Sequence, residues 1–249
     1  MGGDDFESSD RAAAESVVAA CDAAAVSRIV YLSGVIPEVP QEELSAHPRS
    51  RLEVEEILNG AQATVTTLRA GMVLGAGSTS FELMRQLALR LPVTVIPQWM
   101  DSLVEPIAVT DLCSAIIGAI NHTGPTGYFD IGSGKAISYP DLIALYLELS
   151  QESKPQLSLP FLPESFVAKL AGWISDVPSS TVESLIESLQ HDMGLVGDAR
   201  VRALLGENDT RITSKEAIER SLASPDLSLS PSDRDPHVAM PGDPSWAGR

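Results

Sequence analysis

The sequence predicts an α/β fold with a parallel sheet, and three observations carry that prediction. Short apolar runs rich in β-formers alternate with helical patterns of ten or so residues, the order that βαβ units require. Several runs end at glycine, as buried strands feeding a turn do. Hydrophobic residues make up 44% of the 249, enough for a packed core and too many for wholesale disorder.

The elements follow in order. Residues 8–26 read as a helix, with Ala12, Val17, Val18, Cys21 and Ala24 or Ala25 at helical spacing and Ser8 or Ser9 able to cap it. Residues 28–33 form an apolar strand ending at Gly34. A loop with Pro37 and Pro40 leads to a helix starting near Pro48, a residue suited to the first helical position. Its apolar face is Leu52, Ile57, Leu58 and Ala61. A strand at 63–68 precedes a glycine turn at Gly71, Gly75 and Gly77, and a helix spans 80–90. Strand candidates follow at 93–96 and 103–108, then a helix at 112–120 begun by Thr110 or Asp111. A strand at 128–131 and a helix at 139–149 complete the alternation. Beyond residue 150 the pattern turns helical, at 163–174, 179–193, 198–205 and 214–222. Residues 1–150 thus read as one α/β domain, 151–224 as a helical substrate lobe, and the proline-rich 225–249 as a disordered tail.

Charge narrows the function classes. Seventeen basic against 34 acidic residues give a net charge of −17, which repels phosphate and argues against nucleic acid and polybasic membrane docking. No charge-free apolar run reaches the ~18 residues of a membrane span. The acidic start, with Asp4, Asp5, Glu7 and Asp10, is the reverse of a signal peptide, so a cytoplasmic protein is expected. Cys21 and Cys113 are too few for a disulfide framework or a four-ligand zinc site. His122, His191 and His237 are isolated, and nothing suggests a metal. Gly75-Ala-Gly77 follows a strand and opens a helix, but a lone Gly-x-Gly reads more simply as a tight turn.

Five segments together carry a more specific signal. Arg28-Ile-Val-Tyr-Leu-Ser33-Gly34 resembles the strand that delivers the active-site serine in the short-chain dehydrogenase/reductase superfamily. His47-Pro-Arg-Ser-Arg51 stands where that superfamily has its Tyr-x-x-x-Lys helix. Thr67-Leu-Arg69-Ala-Gly71-Met-Val-Leu-Gly75 is similar to its Leu-Arg-Pro-x-x-Val-Tyr-Gly turn. Glu105-Pro-Ile-Ala-Val-Thr-Asp111 and Gly127-Tyr-Phe-Asp-Ile-Gly132-Ser-Gly134 resemble the "valine-aspartate" helix start and the glycine-serine-glycine strand of its extended and atypical branches. The nearest likeness is to the atypical NAD(P)H-binding branch, with the complex I accessory subunit and NmrA-like proteins.

The resemblance implies a Rossmann-like sheet, an NAD(P) cofactor, a small-molecule substrate, and an oxidoreductase or epimerase activity. By it, Ser33 orients the substrate oxygen, His47 replaces the tyrosine as acid/base, and Arg51 replaces the lysine at the ribose. Ala70, Gly71 and Met72 would lie beside the nicotinamide. The i to i+4 spacing puts His47 and Arg51 on one helix face. An imidazole exchanges protons near pH 7, and a guanidinium offers a forked donor pair to a diol. Simpler roles stand beside these. His47 before Pro48 suits a cap; Arg51 and Arg49 have Glu55 and Glu53 at i+4; Ser33 can make a strand-end hydrogen bond. Arg69 can be a structural anchor, and Asp111 a helix N-cap.

Judged against the superfamily, the Gly-x-x-Gly-x-x-Gly half that binds pyrophosphate is missing, so an incomplete Rossmann-like sheet with a C-terminal mostly helical lobe is expected. A start set downstream of the true one, a degenerate paralogue, or another chain covering the sheet edge would each account for that. The exposed edge offers a route to self-association. A non-catalytic module serving as a redox sensor or assembly subunit is the alternative to an enzyme.

Overall fold

In the computed structural model, which describes residues 4–124, 126–189, 201–206 and 210–247, strands and helices alternate through residue 149. Helix α1 (Asp4–Ala23) leads to β1 (Arg28–Gly34), α2 (Ala46–Leu58), β2 (Thr64–Ala70), β3 (Val73–Leu74) and α3 (Thr79–Arg90). Then come β4 (Thr94–Pro97), β5 (Leu103–Val104), β6 (Ile107–Ala108), α4 (Val109–Asn121), β7 (Gly127–Ile131), β8 (Ile137–Ser138) and α5 (Tyr139–Leu149). A further strand, β9 (Gln156–Leu159), precedes α6 (Glu164–Ile174), α7 (Ser179–Ser188), α8 (Arg202–Leu205) and α9 (Ser214–Ser221). Of the helices expected at 179–193 and 198–205, residues 190–193 and 198–200 lie outside the described residues.

Two compact units cut across the expected boundary at residue 150. The first comprises residues 1–71, 113–131 and 195–209. Its centre is a three-stranded parallel sheet, order β1-β2-β7, with every residue of β1 paired from Arg28 opposite Thr64 to Gly34 opposite Ala70. Side chains alternate across a strand, so Ile29, Tyr31 and Val65 face α1 and α2, packing with Ala14, Val54 and Leu58. Helix α1 stops where Ala25 takes φ +50°, a conformation that cannot continue a right-handed helix. Gly118 of α4 has no room for a side chain, since a Cβ would fall on the Leu204 carbonyl. The outer edge of β1 carries no ladder among the described residues.

The second unit holds residues 72–112, 132–194 and 210–249. Its strands form only two-stranded pairs: β3 with β6 and β4 with β9, both parallel, and β5 with β8, antiparallel. Periodicity did not reveal β3 and β8, because two residues carry no period. The core gathers Leu74, Phe81 and Met84 with Val104, Leu142, Tyr146 and Ile218.

Residues 225–247, expected as most of a disordered tail, instead run as an irregular strap against this unit. His237, Val238 and Ala247 are buried. The Ala76 amide donates to the His237 carbonyl (2.9 Å) and Gln86 donates to the Trp246 carbonyl (2.8 Å). Composition failed here because a few apolar anchors and backbone hydrogen bonds suffice to order a proline-rich chain. Among the described residues no helix is long and apolar enough to cross a membrane.

Candidate functional site

Ser33 sits at the carboxyl end of β1, where sites on open parallel sheets gather. It shares the face of Tyr31 and Ile29, two and four residues back, and therefore the face covered by α2. Its side chain is 6% exposed, and Oγ has no hydrogen-bond partner among the described residues. The simple strand-end hydrogen bond is thus not made. A buried hydroxyl without a partner is costly.

Helix α2 begins at Ala46 after Ser45, two residues earlier than the proline suggested. His47 therefore lies in the first turn rather than at the cap. It is half-buried, and its imidazole is held below the usual histidine range, chiefly by burial and then by the charge of Arg51, against the opposing pull of Asp10. The ring is neutral at pH 7 and able to accept a proton.

Arg51 reaches Asp10 on α1, with Nη1 3.9 Å from Oδ2. The same Asp10 oxygen accepts from Ser50 Oγ at 2.9 Å. Arg49 pairs with Glu7 at 2.8 Å and Arg11 with Glu53 at 2.6 Å. The expected i to i+4 pairs of α2 are thus superseded by a charged seam between α1 and α2, which sequence spacing within one helix cannot reveal. Asp10 is the neighbour of the candidate residues that the sequence did not point to; its one signal there is an acid on the helix preceding the serine strand.

Glu55 is turned inward, 4% exposed. Arg69 donates to it through Nε (3.0 Å) and Nη2 (2.6 Å), and the guanidinium lies 3.9 Å from the centre of the Tyr128 ring. Arg69 is therefore an anchor binding α2 to β2 and β7.

Ala70 is buried, and its carbonyl accepts from the Val35 amide at 3.2 Å. Gly71 is half-buried and ends this unit. Met72 opens the second unit with its side chain in the core and its carbonyl accepting from Ile107. Of the three expected nicotinamide neighbours, Gly71 keeps the most accessible surface.

The last two motifs meet within the second unit. Glu105 is 3% exposed, and the Gly134 amide donates to its Oε1 at 2.5 Å. A Cβ on Gly132 would come 2.6 Å from that oxygen. Gly134 has φ +80°, a region glycine enters without strain. The glycine-serine-glycine loop thus wraps a buried carboxylate. Asp111 lies inside the first turn of α4 rather than at its cap, and its Oδ2 accepts from the Ile212 amide at 2.9 Å. The Gly75–Gly77 turn is tight, as expected, with Gly77 at φ +85°. Among the described residues no group of three His, Cys, Asp or Glu side chains could hold a metal.

As a test of NAD(P), the unpartnered Ser33 hydroxyl, the neutral imidazole and Arg51 fit the nicotinamide-ribose end. The sequence has no glycine turn for the pyrophosphate.

No family model matches the chain, and no curated protein matches it. Among solved structures, the chain is similar to the NADPH-dependent quinone oxidoreductase QOR2 from Escherichia coli. That likeness has a TM-score of 0.63 at 20% identity, over 82% of this chain and 69% of that one. It is similar also to TunA, an NAD-dependent NDP-hexosamine 5,6-dehydratase of tunicamycin biosynthesis, with a TM-score of 0.60 at 16% identity, over 84% of this chain and 66% of that one. The chain spans about two thirds of the length of each. Identities this low speak to the fold. The likeness is one of fold, the Rossmann-like α/β fold of those two NAD(P)-dependent enzymes.

Proposed function

We infer that the chain is an NAD(P)-binding, atypical short-chain dehydrogenase/reductase-like protein, an oxidoreductase or epimerase acting on a small molecule. The observation that carries this reading is the buried, unpartnered Ser33 hydroxyl at the carboxyl end of β1. A bound nicotinamide supplies or accepts a hydride. Ser33 holds the substrate oxygen, and Arg51 donates to ribose hydroxyls. In the alcohol-to-carbonyl direction the neutral His47 takes the hydroxyl proton onto its imidazole, and in the reverse direction it returns it. Gly71, with the backbone of Ala70 and Met72, lines the nicotinamide end. The β1 edge, which carries no ladder among the described residues, provides for self-association, and the −17 charge accords with a cytoplasmic protein that avoids nucleic acid.

The test is turnover with menadione as oxidant, NADPH consumption being read at increasing cofactor. Without a glycine turn, NADPH affinity should be no tighter than about millimolar, a binding free energy of about 4 kcal/mol. Ser33→Ala should abolish the residual rate, and His47→Ala should lower it by about a hundredfold. In the alcohol-oxidising direction the rate should rise with pH and level off below 6.5, because the imidazole loses its proton earlier than a free one. A rate indifferent to both substitutions would leave the second reading, a non-catalytic module that senses redox state or joins an assembly. The replaced tyrosine favours that reading.

A further inference from the structure

Three exposed aromatic side chains lie on and just before α6 in the second unit. Phe161 is 92% exposed, Trp173 85% and Phe166 54%. Phe166, Leu170 and Trp173 are spaced i, i+4, i+7 and so share one face of α6. The opposite face, with Ala168 and Ala171, is buried against α3 and α7. The turn carrying Phe161 is fixed, because Trp99 Nε1 donates to the Leu162 carbonyl at 2.9 Å. The prongs are therefore held outward by a packed scaffold.

Their surroundings differ from the rest of the chain. Between Ser153 and Ser175 the charged residues are Lys154, Glu164 and Lys169. That stretch carries +1 (two lysines against one glutamate) in a chain of −17. The three aromatic rings expose about 500 Å² together, more than singly scattered apolar residues present. A stable dimer needs about 800 Å² from each partner, more than these three residues offer. A lipid surface asks for no matching area. It accepts aromatic rings at the headgroup level, with a lysine such as Lys169 able to extend its charge outward from among them.

We propose that α6 and the Phe161 turn form a docking face for a zwitterionic lipid surface, with Phe161, Phe166 and Trp173 entering the headgroup layer. The chain's overall charge sets the lipid preference. Anionic headgroups repel it at low salt, so attachment runs through apolar burial.

The experiment is co-flotation of the full chain with phosphatidylcholine vesicles, with circular dichroism as the folding control for substitutions at such exposed sites. Binding should be measurable at about 1 mM lipid and should survive added salt. Trp173→Ser and Phe161→Ser should each lower partitioning by at least about tenfold with the spectrum unchanged. Vesicles containing phosphatidylglycerol should bind less at about 10 mM salt and recover as salt screens the repulsion. Absence of binding to phosphatidylcholine overturns the proposal. So does a concentration-dependent dimer in sedimentation equilibrium that Trp173→Ser dissociates, since the face then belongs to a second copy. Neither result bears on NADPH turnover, so this proposal and the proposed function fail separately.

Discussion

The two units solve one problem by different means. In the first, strands of five to seven residues pair along their length and two helices cover one face, so backbone ladders and apolar periodicity do most of the holding. In the second, ladders of two to four residues are supplemented by charged side chains, some of them buried, that bond to neighbouring loops and helices. Glu105 is wrapped by the Gly132–Gly134 loop. Glu82, fully buried, pairs with Arg85 at 2.7 Å. Asp235 joins Arg220 and His237. Regular hydrogen bonding saves the first unit from relying on such contacts, the exception among the described residues being the Glu55–Arg69 pair. The lesson is that short strands do not mean a loose region if carboxylates take up the unpaired amides.

The exception offers the hardest test of that contrast. Glu55→Ala leaves Arg69 buried without its counter-charge and should cost about 3–5 kcal/mol in urea denaturation. The double replacement Glu55→Leu with Arg69→Met should recover most of it, because well-packed apolar residues often match a buried ion pair. If the double variant stays as unstable as the single one, the first unit depends on buried charge as much as the second.

Within the second unit, Glu105→Ala removes the acceptor of the Gly134 amide and leaves space beneath Gly132. The expected loss is about 2–3 kcal/mol. Glu105→Gln, which keeps an acceptor oxygen, should lose about 1 kcal/mol. Equal losses would show that packing rather than the hydrogen bond holds the loop.

Acid should loosen the strap selectively. Burial tends to raise the Asp235 carboxyl, but hydrogen bonds from Arg220 and His237 outweigh it and push it down to about 2. A carboxylate depressed in the folded state stabilises above its unfolded value and loses that contribution as pH falls. Hydrogen exchange at residues 225–247 should therefore be unchanged from pH 8 to 5 as far as Asp235 is concerned. Protection should then drop between about pH 4 and pH 2, beyond any change in β1 and β2. Uniform loss across both units would refute the assignment.

The smallest effect is the most telling about Ser33. Its hydroxyl makes no hydrogen bond in the fold, so Ser33→Ala should change stability by no more than about 1 kcal/mol, and in the favourable direction. A larger destabilisation would mean that the hydroxyl serves the fold and not a ligand.

Legibility in the sequence followed the same divide. Strands β1, β2 and β7 and helices α2, α3 and α5 were readable because each is long enough to show a period. The order of Ser33, His47, Gly71, Asp111 and Gly132–Gly134 was enough to suggest the fold. What stayed hidden depends on pairs far apart in the chain. Asp10 reaching Arg51, Arg69 holding Glu55, and Asp235 fixing the strap involve single polar residues whose partners no local pattern names. Strand β9 was hidden for another reason: its four residues are mostly exposed and gain their identity only by lying beside β4. The site shows both limits, since Ser33 was legible as the end of a strand, whereas its lack of a partner is a property of the packed interior alone.

The glycine-serine-glycine loop carries one more consequence, for how such chains can change over time. Position 132 can acquire a side chain only if position 105 gives up its carboxylate, and a shortened 105 strands the amide of Gly134. Neither step is neutral alone, so the two motifs should drift together or stay put. Among homologues, a departure from glycine at 132 should be accompanied by a smaller residue at 105, and their joint persistence would record mutual constraint even in relatives that have lost all chemistry.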